Sequence, residues 1–285
     1  MASFQAQDVQ RFYDSNTRLM LRLGQGLEGS IHRAVWGPGV QERPAAMAYA
    51  DRLIGERLQR LEAPADGPLR VVDLGSGVCA SLCRIAEQLP IRGTGVTISP
   101  TQARLATERI AALGLAASVR CVPGDFCALP PELGPADAAF GIESFVHAPS
   151  AQAFFQQAAR LVRPGGYLML CDDFLGESLA QSGARGQRWV ERFAQGWVLS
   201  SLMSLAQADE CAKAAGFSRE EALDLTPYLE LGRPRDWAIA LLVRGLGWLP
   251  IPGPYWSMLS GGDAAQSCLK RGWVKYQFVV WRRNP

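Results

Sequence analysis

The sequence predicts an α/β fold in which helices cover both faces of a mainly parallel, seven-stranded sheet. Three observations support this class. The apolar segment 69–74 has the pattern of a short strand and runs into the glycine turn Asp-Leu-Gly-Ser-Gly at 73–77 and then a helix. Strand and helix patterns alternate as far as residue 173, and two more strands follow further along the chain. Such alternation implies right-handed crossovers and therefore neighbouring parallel strands.

The predicted elements can be placed in order along the chain. The strands are predicted over 69–74, 93–97, 118–122, 137–142, 167–171, 217–225 and 273–281. Helices are predicted over 79–89, 100–113, 151–162 and 206–215, after helical patterns in residues 1–62 that are broken by Gly-Gln-Gly near 24 and Gly-Pro-Gly near 37. Ligands of such sheets bind beyond the carboxyl ends of the strands, where the strand order reverses. The glycine turn is therefore the first candidate for a binding site.

Two insertions interrupt the core pattern and divide the chain into six segments. These are an N-terminal helical cap (1–62), the central core (63–173), a lid insertion (174–205), a continuation of the core (206–225), a second lid insertion (226–272) and the last core strand with the C-terminus (273–285). The length of 285 residues fits one core domain that carries insertions. Because the cap and the insertions lie outside the minimal core, we expect them to form the walls of a substrate pocket.

Composition and charge disfavour several classes of partner. The 29 basic and 27 acidic residues give a formal charge of +2, which is too small to attract nucleic acid strongly. The first residues lack the pattern of a secretory signal, and no apolar stretch is long enough to cross a bilayer. The 7 cysteines are irregularly spaced and lack the companions of a metal site. We therefore expect a cytoplasmic protein that acts on a small molecule, without membrane insertion and without a metal held by its own side chains.

The glycine turn by itself is open to several interpretations. It brings backbone amides at a helix N-terminus close to a ligand, but it is also compatible with a tight turn that binds nothing. A dinucleotide site is a competing interpretation. Ala80 replaces the third glycine of that motif, and Thr97 replaces the acidic residue that binds ribose at the second strand end. Thr97 is the stronger mismatch, and it disfavours a nicotinamide cofactor.

Four motifs in this order and spacing resemble those of class I S-adenosylmethionine (SAM) dependent methyltransferases. They are VVDLGSG at 71–77, GTGVTISPTQ at 93–102, VPGDF at 122–126 and LVRPGGYL at 161–168. The second motif is similar to that of cyclopropane-fatty-acid synthases, tocopherol methyltransferases and sterol methyltransferases, in which threonine often stands at the Thr97 position. The resemblance covers about 69–173, and more loosely the opening Arg-Phe-Tyr-Asp at 11–14. It implies a Rossmann-like fold with SAM as the cofactor.

The resemblance also implies where the cofactor would lie. It places the glycine turn under the methionine part of SAM, the second strand end beside the ribose, and Asp125 and Phe126 beside the adenine. A carboxylate can accept protons from the adenine amino group. The cofactor residues implied in this way are Tyr13, Asp73, Gly75, Ser76, Gly77, Thr97, Ile98, Gln102, Asp125, Phe126 and Ile142. Two alternatives stay open: Asp73 could brace the turn, and Tyr13 could pack the first helix.

The segment after the fourth strand carries the candidate catalytic residues. Residues 141–149 read GIESFVHAP, which is similar to the E-x-x-x-H-A-P segment of sterol C-methyltransferases. Glu143 and His147 are therefore the candidate catalytic side chains. A carboxylate at a buried strand end is costly unless a cation or a hydrogen-bond donor meets it. For His147, a structural hydrogen-bonding role remains the alternative.

Aromatic residues in the cap and the insertions suggest a lid over an apolar substrate. Residues 31–37 read IHRAVWG and resemble the His- and Trp-bearing segment that lines the cofactor and substrate entrance in the same families, with a helix-breaking loop packed on the core as the alternative. The substrate-binding candidates are His32, Trp36, Phe145, Trp189, Trp197, Tyr228 and Trp256. Aromatic faces could stabilise a carbocation by cation–π interaction. A small structural cluster is the alternative interpretation for these side chains.

We thus expect a SAM-dependent carbon methyltransferase that acts on an alkene carbon of a small, largely apolar metabolite. The resemblance favours an isoprenoid such as a prenyl diphosphate, methylated through a carbocation that then loses a proton. It also allows Mg²⁺ to accompany a diphosphate substrate, and a homo-oligomer stays open. The alternatives are an O- or N-methyltransferase of a specialised metabolite, and a SAM-binding protein without catalysis.

Overall fold

A computed structural model of the chain describes residues 4–23, 32–65, 67–246 and 253–285. Within these ranges one sheet contains seven strands. They are β1 (Leu69–Leu74), β2 (Ile91–Thr97), β3 (Val119–Pro123), β4 (Ala136–Ile142), β5 (Val162–Leu175), β6 (Phe217–Asp224) and β7 (Val274–Arg283). Their order across the sheet is β3-β2-β1-β4-β5-β7-β6. The first five pair in parallel, whereas β7 runs antiparallel to both β5 and β6. The predicted fold class is confirmed.

Ten α-helices surround the sheet in the described parts of the chain. They are α1 (Ala6–Leu23), α2 (Arg43–Met47), α3 (Tyr49–Leu58), α4 (Ala80–Gln88), α5 (Pro100–Ala112), α6 (Ala151–Leu161), α7 (Gly183–Trp197), α8 (Leu205–Ala214), α9 (Pro234–Leu246) and α10 (Pro254–Lys270). None of the described helices is long and apolar enough to span a membrane.

Local sequence signals explain where two of these helices begin. The Ser99 hydroxyl caps α5 by accepting a hydrogen bond from the amide of Gln102, and Pro100 occupies the first turn. Ser204 and Gln207 form a reciprocal capping box at the start of α8. Each cap satisfies backbone amides that have no partner within the helix, and so fixes the helix start.

The core lies on both faces of the sheet because the central strands alternate their side chains between two apolar clusters. Val71 of β1 belongs to the cluster under α3 and α4, and its neighbour Val72 belongs to the cluster under α6. Val71 and Val72 are both buried, as are Leu168 and Met169 on β5. Strands covered on both faces are expected to have continuous apolar runs of this kind, which is the pattern in the sequence.

The structure departs from the predicted elements at two places. The break predicted near 37 is longer than expected, because residues 32–42 contain extended chain in which Val35 pairs with Leu229. A proline between two glycines at 37–39 is incompatible with a continuous helix there. Strand β5 also continues past the predicted core boundary at 173, because β7 pairs with it as far as Leu175. Residues 24–31 of the predicted cap lie outside the described residues.

Candidate active site

A cavity opens at the carboxyl-terminal ends of β1, β2 and β4 and beside the last part of β5. Residues that follow these strands form its floor, and α1, residues 32–33 and α7 close it from above. Strands β1 and β4 are neighbours at the point where the strand order reverses. Open α/β sheets bind ligands at this position, so the cavity is the candidate active site.

The glycine turn forms the base of the cavity. Gly75 and Gly77 have φ angles of +93° and +53°, which side chains rarely adopt. The amides of Gly75 and Ser76 both donate to the carbonyl of Val96 at 2.9 Å. A Cβ atom at Gly75 would lie 2.4 Å from the Cβ of Ser144, whereas at Gly77 the nearest atom, on Gln102, would be 3.9 Å away. The turn is therefore locked against β2 and the end of β4, and only Gly77 leaves open space.

Asp73 lies beneath this turn and lines the cavity. Burial, followed by the charge of Asp51, raises the pKa of Asp73 well above its ordinary value. The Gly75 and Ser76 amides bond to Val96, so they are not held by the Asp73 carboxyl. This arrangement favours a cofactor contact for Asp73 over the bracing role for those two amides.

Thr97 and Gln102 connect the second strand end to α1. The Thr97 hydroxyl donates to Oε1 of Gln102 at 2.8 Å, and Nε2 of Gln102 donates to the hydroxyl of Thr17 at 3.1 Å. Both Thr97 and Gln102 line the cavity. Both ends of the Gln102 side-chain amide are hydrogen-bonded within the protein, so the side chain links β2 to α1 and orients α1 over the cavity.

Of the predicted cofactor residues, all but Asp125 line this cavity. The Oδ1 atom of Asp125 accepts a hydrogen bond from the amide of Cys127 at 2.7 Å, which forms a local turn. Phe126 does line the cavity and packs edge-on against Phe154. The structure thus brings Phe126 to the site, and an adenine contact for Asp125 stays a prediction.

Glu143 lies at the cavity wall in a left-handed backbone conformation, with φ of +50°. Its Oε1 atom accepts the backbone amide of Arg33 at 2.8 Å and lies 3.9 Å from the Arg33 guanidinium. Non-glycine residues in this conformation are uncommon and cluster at functional sites. The strand end and Arg33 therefore hold the carboxylate in one position at the cavity.

Arg33, Asp172 and Asp173 form a charged cluster that the sequence prediction missed. The Arg33 guanidinium donates two hydrogen bonds to Asp173, at 3.0 and 2.9 Å. Burial lowers the pKa of Arg33, but the charges of Asp173 and Glu143 outweigh it and raise the pKa overall. Burial and then the charge of Asp173 raise the pKa of Asp172 well above its ordinary value. The Arg33 guanidinium is therefore already paired with Asp173 and lies close to Glu143.

Tyr13 and His147 form a hydrogen-bonded pair in the cavity wall. The Nδ1 atom of His147 lies 3.2 Å from the carbonyl of Val198, which can only accept, so Nδ1 carries the proton. Nε2 therefore accepts the hydroxyl proton of Tyr13, at 2.9 Å. Burial lowers the pKa of His147 to about 4. Burial, followed by the charge of Glu143, raises the pKa of Tyr13. At neutral pH the imidazole is uncharged.

This buried histidine should make folding stability depend on pH. Between pH 4 and the ordinary pKa of 6.5, the unfolded chain binds a proton at His147 that the folded protein does not. The free energy of unfolding should therefore rise with pH across that window, by up to about 3 kcal/mol, and reach its full value above it. Urea unfolding of the wild type and of His147→Asn measures this contribution. The difference in the free energy of unfolding between wild type and His147→Asn should become smaller as the pH falls from 6.5 to 4. A difference that stays constant would contradict the assignment of a buried, neutral His147.

The predicted substrate residues divide into two groups. His32 and Trp197 line the cavity. The others do not line it, and they are Trp36, Phe145, Trp189, Tyr228 and Trp256. Phe145 is a correction, because it is fully buried among Phe154, Phe155 and Phe174. It is a core residue, since the chain leaves β4 at Ile142 and the short 3₁₀ helix Phe145–His147 directs this ring into the aromatic cluster.

The remaining lid aromatics are held elsewhere by specific contacts. Trp189 packs against the guanidinium groups of Arg192 and Arg244, at 5.5 and 5.2 Å from its ring centre. Tyr228 lies at the surface, where its backbone carbonyl accepts the amide of Trp36. The apolar roof of the cavity consists instead of Val9, Phe193, Trp197 and Leu199. Of these four, Trp197 is among the predicted substrate residues, and Phe193 is another of the aromatic residues of the first insertion.

Comparison with known proteins gives one family and several relatives. A family described as a methyltransferase domain matches residues 71–166. The chain is 26% identical over 202 residues to a botryococcene C-methyltransferase of Botryococcus braunii, covering 70% of this chain and 53% of that protein. It is 31% identical over 172 residues to an O-methyltransferase of Aspergillus nomiae, covering 60% of this chain and 73% of that protein. It spans about half the length of the botryococcene enzyme.

Solved structures share the fold over nearly the whole chain. The [4+2]-cyclase SpnF superposes with a TM-score of 0.75 at 23% identity, covering 100% of this chain and 98% of that one. A geranyl diphosphate methyltransferase, in complex with that diphosphate and sinefungin, superposes with a TM-score of 0.70 at 18% identity, covering 98% of each. At these identities the likeness shows the common fold, and the chemistry must be argued from the residues.

Proposed function

The chain belongs to the family of SAM-dependent methyltransferases, and on that premise we propose that it methylates an alkene carbon of a small, neutral isoprenoid. The observation that carries the proposal is the composition of the cavity lining, in which acidic residues outnumber basic ones. Four carboxyl groups line it, from Asp73, Glu143, Asp172 and Asp173, and the one guanidinium among the lining residues belongs to Arg33. A botryococcene C-methyltransferase among the relatives supports the class of reaction.

The residues at the base of the cavity fit SAM, which when bound supplies a methyl group on a positively charged sulfonium. We assign its methionine part to the glycine turn and Asp73, its ribose to the surroundings of Thr97, and its adenine to Phe126. The turn offers backbone without side chains, and the carboxyl of Asp73 can accept from an ammonium group. Tyr13 on α1 would cover the methionine end.

A substitution at Gly77 tests this assignment. Gly77→Ala should weaken SAM binding by about tenfold or more, because its methyl group would occupy space at the cavity base that the protein leaves open. Gly39→Ala is the matched control, since Gly39 also has a positive φ, of +79°, and lies at the surface outside the cavity. Both variants should bear a similar backbone cost of about 1–2 kcal/mol. Calorimetry that finds equal SAM affinity in the two variants would contradict the assignment.

The cavity is better suited to a reaction that develops positive charge than to an anionic substrate. An alkene carbon that gains a methyl group becomes a carbocation, which the Glu143 carboxylate would stabilise because it is already held at the cavity wall. A diphosphate would find the guanidinium of Arg33 already bonded to Asp173 and close to Glu143. The described residues also contain no group of three or more His, Cys, Asp or Glu that could hold a metal ion. We therefore favour a neutral isoprenoid over a prenyl diphosphate as the substrate.

We assign the loss of the substrate proton to Glu143. Its carboxylate is fixed at the cavity wall by the Arg33 amide, and it lies on the same wall as the Tyr13–His147 pair. Val9, Phe193, Trp197 and Leu199 would exclude water from the reacting carbon. Holding the acceptor carbon against the methyl group and excluding water can supply most of the catalysis that methyl transfer requires.

A second candidate is methylation of a hydroxyl or an amine. The observation that favours it is the pair of Tyr13 and neutral His147, because an unprotonated Nε2 could receive a proton from an acceptor through the Tyr13 hydroxyl. An O-methyltransferase is among the relatives. In this reaction the acidic cavity would bind a cationic amine and Glu143 would be an electrostatic partner.

The two candidates are separated by the atom that receives the methyl group. The protein is incubated with SAM carrying a ¹³C-labelled methyl group and with a triterpene hydrocarbon, a sterol, geranyl diphosphate, a phenol or a primary amine. Mass spectrometry detects the label, and carbon NMR distinguishes methyl groups on carbon from those on oxygen or nitrogen. We expect transfer to carbon in a neutral alkene. Label found only on oxygen or nitrogen would replace the proposal with the second candidate. Transfer confined to geranyl diphosphate would contradict the argument from charge, and SAM binding without transfer to any compound would contradict both candidates.

A further inference from the structure

Helix α9 exposes an unusual number of large apolar side chains. Trp237 and Leu241 are 69% and 79% exposed, and Leu242 and Leu246 are also exposed, as is Tyr255 at the start of α10. In the described part of the chain, the only other exposed large apolar side chains are Leu113 and Tyr228. We call the exposed apolar side chains of α9, together with Tyr255, the α9 face. Large apolar side chains that are exposed in such number on one helix point to an interaction site.

The charged groups around the α9 face are arranged asymmetrically. The side chains of Arg235 and Arg244 are 52% and 51% exposed, whereas those of the acidic residues Asp236 and Asp263 are 9% and 2% exposed. The ammonium group of Lys270 lies 5.5 Å from the centre of the Trp237 ring. Glu230, just before α9, is 38% exposed and is paired with Arg43 and Arg233. The rim of the face thus presents more basic than acidic groups to solvent, although the whole chain carries a formal charge of only +2.

The α9 face forms the outer layer of the lid over the cavity. Val243 is fully buried, and the Arg244 guanidinium makes two hydrogen bonds to Asp263, which together attach α9 to α10. Helix α10 crosses α7 so closely that a Cβ atom at Gly196 would lie 2.4 Å from the Cα of Gly261. Helix α7 contributes Phe193 and Trp197 to the cavity roof. Helices α10 and α7 therefore lie between the exposed face and the cavity.

We propose that the α9 face docks the protein onto the surface of a bilayer that contains anionic lipid. A helix with exposed leucines, a tryptophan at its edge and basic residues beside it is suited to lie in the plane of the lipid headgroups. Arginine and lysine gain energy near anionic headgroups, and their long side chains can reach the phosphates while the leucines contact acyl chains. No spanning segment is needed for docking of this kind.

A second copy of the chain fits the α9 face less well. A stable protein interface commonly uses about 20–30 residues on each side, and charged residues are depleted from its centre. The α9 face provides five large apolar side chains, and half-exposed arginines accompany them. In a symmetric dimer these like charges would be brought towards one another, whereas anionic lipid would neutralise them.

Docking would place the lid against the phase in which an apolar isoprenoid dissolves. This consequence rests on the proposed function, but the docking itself does not. Leu241→Glu should therefore leave turnover of a detergent-dispersed substrate unchanged, since Leu241 is 79% exposed and lies outside the cavity. It should lower turnover only when the substrate is embedded in vesicles.

Vesicle flotation tests the docking without SAM or substrate. Wild-type protein is mixed with vesicles of phosphatidylcholine, or of phosphatidylcholine with phosphatidylglycerol, and the bound fraction is measured after centrifugation. We expect binding to the anionic vesicles that weakens as salt is raised. Leu241→Glu should lower the affinity at least about tenfold, because a charge replaces an inserted apolar side chain. Leu113→Glu is the matched control, since Leu113 is 45% exposed at the end of α5, which packs on β2 and β3 at the edge of the sheet opposite to β7, the strand that α10 contacts.

Three outcomes would overturn the proposal. The first is wild-type protein that stays in solution with both kinds of vesicle. The second is Leu113→Glu losing as much binding as Leu241→Glu. The third is a dimer, detected by light scattering, that Leu241→Glu converts into a monomer, because the face would then bind a second copy. Circular dichroism of both variants confirms that they are folded. Because flotation does not depend on catalysis, its failure and a failure of the proposed reaction can be told apart.

Discussion

Glu143→Gln is expected to lower turnover by about a hundred- to ten-thousand-fold while SAM affinity stays close to that of the wild type. The carboxylate faces the cavity and is the group that we assign to stabilise the carbocation and accept its proton. Glutamine has nearly the same size but neither the charge nor the basicity. Single-turnover kinetics with the methylated product as readout, and calorimetry with SAM, measure the two quantities separately.

The surroundings of Glu143 make this substitution a clean test. The amide oxygen of glutamine can still accept the hydrogen bond that the Arg33 amide donates to Oε1 at 2.8 Å. The paired hydrogen bonds between Arg33 and Asp173 do not involve Glu143 and should persist. Glu132→Gln, at an exposed position outside the cavity, is the control for loss of one surface carboxylate. Near-normal turnover in Glu143→Gln would make the residue structural, and Tyr13→Phe would then test the Tyr13–His147 pair as the proton acceptor.

Much of the fold could be predicted from the sequence because its signals are local. The strand β1 has the predicted bounds 69–74, and α5 and α6 begin where they were predicted. In each case a period of apolar residues ends at a glycine, a proline or a capping serine, which acts within a few residues. The break at 37–39 follows from its glycines and proline, but the pairing of Val35 with Leu229 was not predicted, because that partner lies almost two hundred residues away. No local pattern contains that information.

The cofactor side of the site was predicted better than the substrate side for the same reason. The glycine turn and the second strand end are defined by short motifs, and their residues line one cavity. Arg33, Asp172 and Asp173 come together from positions about 140 residues apart, so their ion pair could not be read from spacing. The pair of acidic residues directly after the apolar run 167–171 was the available signal, because buried charges require a partner.

Aromatic composition was a poor guide to the substrate wall. A tryptophan in an insertion can face the cavity, as Trp197 does, or pack under arginines, as Trp189 does. The two lie eight positions apart on the same helix, and neighbouring helices decide which of them reaches the cavity. The amino-acid type predicts that a tryptophan side chain will be largely buried, but it does not predict which neighbouring residues will bury it.

Phe145→Ala is expected to lower the free energy of unfolding by about 3–5 kcal/mol. Phe145 is fully buried, and its ring centre lies 5.1 Å from that of Phe154 and 5.5 Å from that of Phe155. Alanine would leave a cavity that these rings and the sheet can fill only in part. Urea denaturation of the purified variant measures the loss. Tyr228→Ala, at a side chain that is 37% exposed, should cost about 1 kcal/mol or less.

Phe145→Ala also tests whether Phe145 takes part in binding the substrate. It lies between Ser144 and Val146, which both line the cavity, but its own side chain points into the aromatic cluster on the other side of the segment. Phe145→Ala, assayed at a low temperature at which it remains folded, should therefore keep a KM for the substrate close to that of the wild type. A large rise in KM with little loss of stability would mean that Phe145 faces the substrate after all. In that case the wall of the cavity would extend across the end of β4, and the aromatic ring beside Glu143 would be positioned to stabilise the carbocation by cation–π interaction.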